Sequence, residues 1–71
     1  MAELENLAVN IRSLRKKLGE SQMEFGFNCG ISMETISLLE RMKVNPTLET
    51  IQKIAAYTDK SVVELLSDNP E

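Results

Sequence analysis

Histidine is absent from this chain, and cysteine occurs once, as Cys29. One thiol and no imidazole exclude an intramolecular disulfide and any Cys/His zinc site. The same shortage removes the usual nucleophile and acid–base sets of an enzyme, and no glycine-rich phosphate loop stands in for them. Glu24 and Glu34 could be paired as catalytic carboxylates, but a helix cap and an exposed acid account for them better. Neither catalysis nor a cofactor is expected. Long apolar runs are missing too: nothing approaches the roughly 20 residues that span a bilayer. The opening Met1-Ala2-Glu3-Leu4-Glu5 is acidic and unlike a secretory signal. A lone free thiol suits a reducing compartment, so a cytoplasmic location is expected.

What is present is ordinary for a globular chain, with 42% hydrophobic and 27% charged residues. At 71 residues there is room for one domain, residues 1–71, with a core that is marginal for its size. Without an intramolecular disulfide or a Cys/His zinc site, stability is expected to come from helical packing and self-association. The net charge of −3 opposes nucleic-acid binding as a total, yet it is unevenly spread. Arg12, Arg15, Lys16 and Lys17 lie together, Arg41 and Lys43 form a second basic point, and Glu3, Glu5, Glu64, Asp68 and Glu71 crowd the termini. A polyanion responds to the local patch more than to the sum.

Only two prolines interrupt a helical periodicity that runs through the whole chain. Leu4, Leu7, Ile11, Leu14 and Leu18 recur at spacings of three and four, which predicts an amphipathic helix ending at Gly19. Ser21 with Glu24 forms a capping box for a second helix, which Gly30 ends. Ser32 caps a third helix that runs through Thr35, Ile36 and Leu39 to about Arg41. Asn45-Pro46-Thr47 restarts the pattern, and Leu48, Ile51, Ile54 and Ala55 form the expected inner face of a fourth helix. Ser61 opens a fifth, with Val62, Leu65 and Leu66 apolar and Glu64 three residues after the cap. No strand-like alternation, repeat or linker is evident. The expected class is all-α, with five helices.

The stretch from Gln22 to Glu40 is the most informative. Two short helices joined by about three residues must cross steeply, which calls for a small residue at the close approach and one that accepts positive φ in the turn. Gly26 and Gly30 meet those needs. Ile31, Ile36 and Leu39 have the spacing to pin the second helix onto the first, against Phe25 and Cys29, the latter read as a small buried hydrophobe. The order Gln22, Gly26, Gly30, Ile36, Leu39 resembles the helix-turn-helix of phage-repressor-like (XRE-type) regulators. IRSLRKKLGESQ before it and ISLLERMKVNPTLETIQKIAAYTDKSVVELL after it are similar to the family's first helix and its third to fifth. The likeness covers about residues 7 to 66 and leaves 67–71 as a frayed tail.

The resemblance implies a five-helix, lambda-repressor-like DNA-binding domain that docks on double-stranded DNA as a homodimer. Its third helix would enter the major groove, with Ser32, Met33, Glu34, Thr35 and Leu38 at or near base edges. Gln22 would anchor a phosphate at a helix N-terminus, and Ser37, Lys43 and Asn45 would touch the DNA backbone. Arg15 and Glu40 would form an internal ion pair. Tyr57, Val62, Val63 and Leu66 are the candidates for the dimer interface. The expected function is a transcriptional regulator, a repressor binding a near-palindrome, with no small-molecule ligand evident.

Two departures from the family pattern stand out. Met42 occupies the place after the third helix where a glycine is usual, and the recognition helix has no arginine, asparagine or glutamine for bidentate base contacts. Met33 and Leu38 are expected to point outward, since Ile36 and Leu39 fill the inner face. Exposed with Phe27, they would equally suit a protein-interaction module of the same fold, of antitoxin or antirepressor type.

Overall fold

Four of the five helices begin at a hydroxyl side chain that accepts a hydrogen bond from the amide three residues on. The computed structural model describes residues 2–68 and contains α1 (Ala2–Leu18), α2 (Gln22–Cys29), α3 (Met33–Glu40), α4 (Leu48–Thr58) and α5 (Val62–Leu66). No strand occurs among the described residues, so the class is all-α. Ser21, Ser32, Thr47 and Ser61 cap α2 to α5, and the first and last complete capping boxes with Glu24 and Glu64. Such caps contribute about 1 kcal/mol each. They matter here because helices of eight, eight and five residues are too short to persist alone. Gly19 at φ 71° and Gly30 at φ 82° close α1 and α2 in the left-handed region.

Packing completes what the caps begin. Leu7 and Ile11 of α1, Phe25 of α2, Ile36 of α3, Ile54 of α4 and Leu65 of α5 are fully buried together, so every helix gives at least one large side chain to one core. α1 packs on α3 and α5, and α4 packs on α2 and α5. Gly26 lies where the third helix approaches the second: a Cβ there would sit 2.5 Å from the Ile31 carbonyl oxygen and 3.3 Å from Ile36 Cγ1. The close contact with backbone is what requires glycine.

The helical pattern overreaches at two places. Leu18 is 50% exposed, because the last residue of α1 extends past the helices it packs against. Leu48 is 62% exposed rather than part of the inner face of α4, which Ile51, Ile54 and Ala55 supply. Periodicity assigns a face, but the first and last residues of a helix overhang the core. Part of the expected tail is tied to the core. Ser67 is held by its hydroxyl to Val63 O at 2.6 Å and by its carbonyl to Asn10 Nδ2 at 3.0 Å, while residues 69–71 lie outside the described residues.

Candidate nucleic-acid interface

α2 and α3 are joined by Gly30, Ile31 and Ser32, and Ile31 N–H donates to Gly26 O at 2.8 Å across the turn. Ser32 sets the first turn of α3. Its Oγ accepts the Thr35 N–H at 3.1 Å, and its hydroxyl lies 2.9 Å from Thr35 Oγ1 as donor. Met33 is 51% exposed, Glu34 is exposed and Thr35 is half-buried, so the N-terminal turn of α3 forms a small mixed surface. Leu38 differs from expectation: it is half-buried, as is Ser37. Lys43 and Asn45 are exposed in the loop that follows.

Behind this surface is a buried polar centre. Arg15 Nε and Nη2 donate to Glu40 Oε2 and Oε1 at 2.7 and 3.0 Å, and Gln22 Nε2 donates to Oε1 at 3.2 Å. Arg12 approaches the same oxygen at 3.6 Å from a more exposed position. Arg15 Nη1 also donates to the Glu20 carbonyl at 3.0 Å. Burial pushes the Glu40 carboxyl up, but the hydrogen bonds from Arg15 and Gln22 and the charges of Arg15 and Arg12 outweigh it. Its ionisation lies below the usual carboxylate value. One carboxylate thus ties α1, the start of α2 and the end of α3 into a fixed frame. Gln22 has a second amide proton beyond the one given to Glu40.

The chain belongs to the helix-turn-helix family. The family's model, described as helix-turn-helix, matches residues 11–65. A hypothetical transcription factor of Neisseria meningitidis is 37% identical over 60 residues, covering 84% of this chain and 57% of that protein. The HTH-type transcriptional regulator SinR of Bacillus licheniformis is 32% identical over 62 residues, covering 86% of this chain and 56% of its own length. The chain thus spans little more than half of these two relatives. Among solved structures, the restriction-modification controller protein C.AhdI from Aeromonas hydrophila superimposes with a TM-score of 0.81 at 31% identity, over 92% of this chain and 98% of that one. The Neisseria factor NHTF gives a TM-score of 0.85 at 34% identity, over 92% and 75%.

Within this helix-turn-helix domain the four candidate dimer residues are differently placed. Val63 is 73% exposed, whereas Val62 and Leu66 are half-buried against the core. Tyr57 is half-buried and occupied internally. Its ring meets Phe25 edge-on at 5.6 Å, its hydroxyl donates to Glu20 Oε2, and it accepts from Asn28 Nδ2 at 3.1 Å. The bond to Glu20 holds the phenol above its ordinary pKa. Cys29 is buried beside this cluster, and burial together with the Glu20 charge pushes its thiol up to about 11, which leaves it a packing residue rather than a thiolate. No helix among the described residues is long and apolar enough to cross a membrane.

Asn6 and Asn10 carry a role that the sequence pattern did not indicate. Asn10 is buried in α1 and donates through Nδ2 to the carbonyls of Leu65, Ser67 and Glu64 at 2.8, 3.0 and 3.3 Å. Asn6 Nδ2 donates to Leu66 O at 3.1 Å. The two amides cap the C-terminal carbonyls of α5 from another helix. The one available signal was an asparagine placed next to Ile11, inside the apolar stripe.

Proposed function

We propose that this chain binds double-stranded DNA as the helix-turn-helix unit of a transcriptional regulator, a repressor acting as a homodimer on a near-palindromic operator. One observation carries the reading. The N-terminal turn of α3 presents Met33, Glu34 and Thr35 outward while the opposite end of the helix is locked by Glu40 to Arg15 and Gln22. A recognition helix needs that combination, because base readout requires a helix held rigidly at the groove. Met33 can press on a thymine methyl, Thr35 can donate to a base acceptor, and Glu34 can accept from a cytosine amino group. The free amide proton of Gln22, with Ser37, Lys43 and Asn45, supplies the backbone contacts that fix register. The two-fold contact uses Tyr57, Val62, Val63 and Leu66, of which Val63 is the most exposed. Two such helices about 34 Å apart meet successive major grooves. The family's regulators, SinR among them, support this assignment.

The test is selection of bound fragments from a random duplex library at two salt concentrations. An inverted repeat should be enriched at low salt and lost as salt rises, since phosphate contacts release counterions. Gln22→Ala and Thr35→Ala should each lower affinity by about tenfold with the fold intact. Unchanged affinity in both variants would remove α3 from the groove. A protein-binding role gains support from Phe27 at 84% and Met33 at 51% exposed. It predicts salt-insensitive binding to a protein and no enriched duplex.

A further inference from the structure

Sulfur in this chain is divided between one thiol and four thioethers. Cys29 is buried, and burial with the Glu20 charge keeps its thiol protonated. Peroxides react with thiolates, so Cys29 is shielded from them by both its place and its protonation. A methionine needs no deprotonation, and its exposure decides how readily an oxidant reaches it. Met23, Met33 and Met42 are 64%, 51% and 50% exposed. Their places differ. Met23 is on α2 and Met42 follows α3, whereas Met33 is the first residue of α3, next to Glu34 and Thr35. Met33 is not among the side chains packed on the core, and the start of α3 is held by the Thr35 N–H donating to Ser32 Oγ at 3.1 Å. The Met33 thioether can therefore change without unseating the helix.

We propose that Met33 is a modification site, at which a peroxide converts the thioether to a sulfoxide and thereby weakens the hold of α3 on DNA. The proposal rests on the DNA reading, in which Met33 presses on a thymine methyl. The Met33 Sδ lone pair attacks one oxygen of hydrogen peroxide, and an S–O bond forms as the O–O bond breaks. Sulfur loses two electrons. The departing hydroxide takes the proton left on the transferred oxygen and becomes water. The product puts a strong hydrogen-bond acceptor where an apolar group met the methyl. Closing the groove over it strips its water and supplies no donor in return. Methionine sulfoxide reductases, drawing on a dithiol, remove the oxygen again as water, so the change is a reversible switch.

The experiment treats the full chain with hydrogen peroxide and measures its affinity for the duplex enriched by selection. Peptide mass mapping counts the oxygen gained at each methionine, and circular dichroism follows the fold. Complete conversion at Met33 should lower affinity by about tenfold with the fold unchanged. Met33→Leu should show equal affinities before and after peroxide, whatever its starting value. The double variant Met23→Leu, Met42→Leu should lose as much as the wild type. Duplex in excess should slow oxidation of Met33 several-fold and leave the rate at Met23 as it was. Sulfoxide reductase should restore binding. An unoxidised chain that binds no duplex ends the DNA reading, and this proposal with it. A chain that binds and keeps its affinity with Met33 fully oxidised overturns this proposal alone, as does a peroxide-dependent loss in Met33→Leu equal to that of the wild type.

Discussion

Arg15 in the last turn of α1 and Glu40 at the end of α3 are joined by two hydrogen bonds of 2.7 and 3.0 Å, with their side chains 14% and 1% exposed. A carboxylate that deep is tolerable only while its cation is present. Arg15→Met keeps much of the arginine stem but strands the Glu40 charge, which should cost about 3–5 kcal/mol. That is a large part of the roughly 5–15 kcal/mol available to a small domain. Urea denaturation at pH 7 measures it. The double variant Arg15→Met, Glu40→Leu should recover most of the loss, because it replaces a buried pair with apolar packing. A single variant within about 1 kcal/mol of wild type would mean the pair is not a structural tie.

The same carboxylate gives stability a pH dependence of known sign. Burial raises the Glu40 pKa, but its hydrogen bonds and the two arginine charges lower it further, so the folded value lies below the unfolded one. The stabilisation is complete above the unfolded glutamate value, about 4.3, and is lost as pH falls through the folded value. The melting temperature of the wild type should therefore drop steeply below about pH 4. The Arg15→Met, Glu40→Leu variant should show a shallower drop over the same window, and parallel curves would assign the acid sensitivity to other carboxylates.

Met42 is held at φ 57°, in the region that side-chain-bearing residues avoid, and it is half exposed, so little packing compensates. The strain of such a residue is about 1–2 kcal/mol. Glycine relieves it at the cost of about 0.5–1 kcal/mol of unfolded-state entropy. Met42→Gly should therefore gain roughly 0.5–1 kcal/mol and raise the melting temperature by about 3–6 °C. Met42→Ala, which retains the Cβ, should gain nothing. Asp59 at φ 58° provides the comparison: aspartate tolerates this region, so Asp59→Gly should change stability by less than about 0.5 kcal/mol.

Most of the fold was legible because its signals are local. The capping serines and threonine, the glycines at 19, 26 and 30, and the three-and-four spacing of Leu7 and Ile11, of Ile36 and Leu39 and of Ile51 and Ile54 all act within a few residues of where they are read. The Arg15–Glu40 distance was anticipated only through family likeness, because 25 residues separate the partners and neither position is unusual by itself. Leu38 illustrates the limit on the candidate site. Its spacing places it off the inner face of α3, but how far neighbouring elements cover that side is a tertiary fact, and the residue is half-buried. Gln22 was legible as the first residue of α2 but not as a ligand of Glu40, since a long flexible side chain finds its partner only after the helices have docked.

Asn10 shows the same limit and permits a direct measurement. Its amide donates to the carbonyls of Leu65 and Ser67 and shares that of Glu64 with the Ser67 N–H, at the end of a helix too short to satisfy all of its own carbonyls. Asn10→Ala removes the donor, so the buried bond to Leu65 O and the part-buried bond to Ser67 O are lost, at a cost of about 1–3 kcal/mol. Asn10→Asp should be at least as damaging, because a carboxylate has no proton to give and faces acceptors. The loss should be local before it is global. Amide exchange in Leu65, Leu66 and Ser67 should accelerate most, while Ile36 and Leu39 in α3 keep wild-type protection relative to the global stability. Since Val63 sits on the helix that Asn10 fixes, the variant should also weaken the proposed two-fold pairing more than it disturbs α3. If exchange quickens equally in α3 and α5, Asn10 is an ordinary core residue and α5 is held by its apolar face alone.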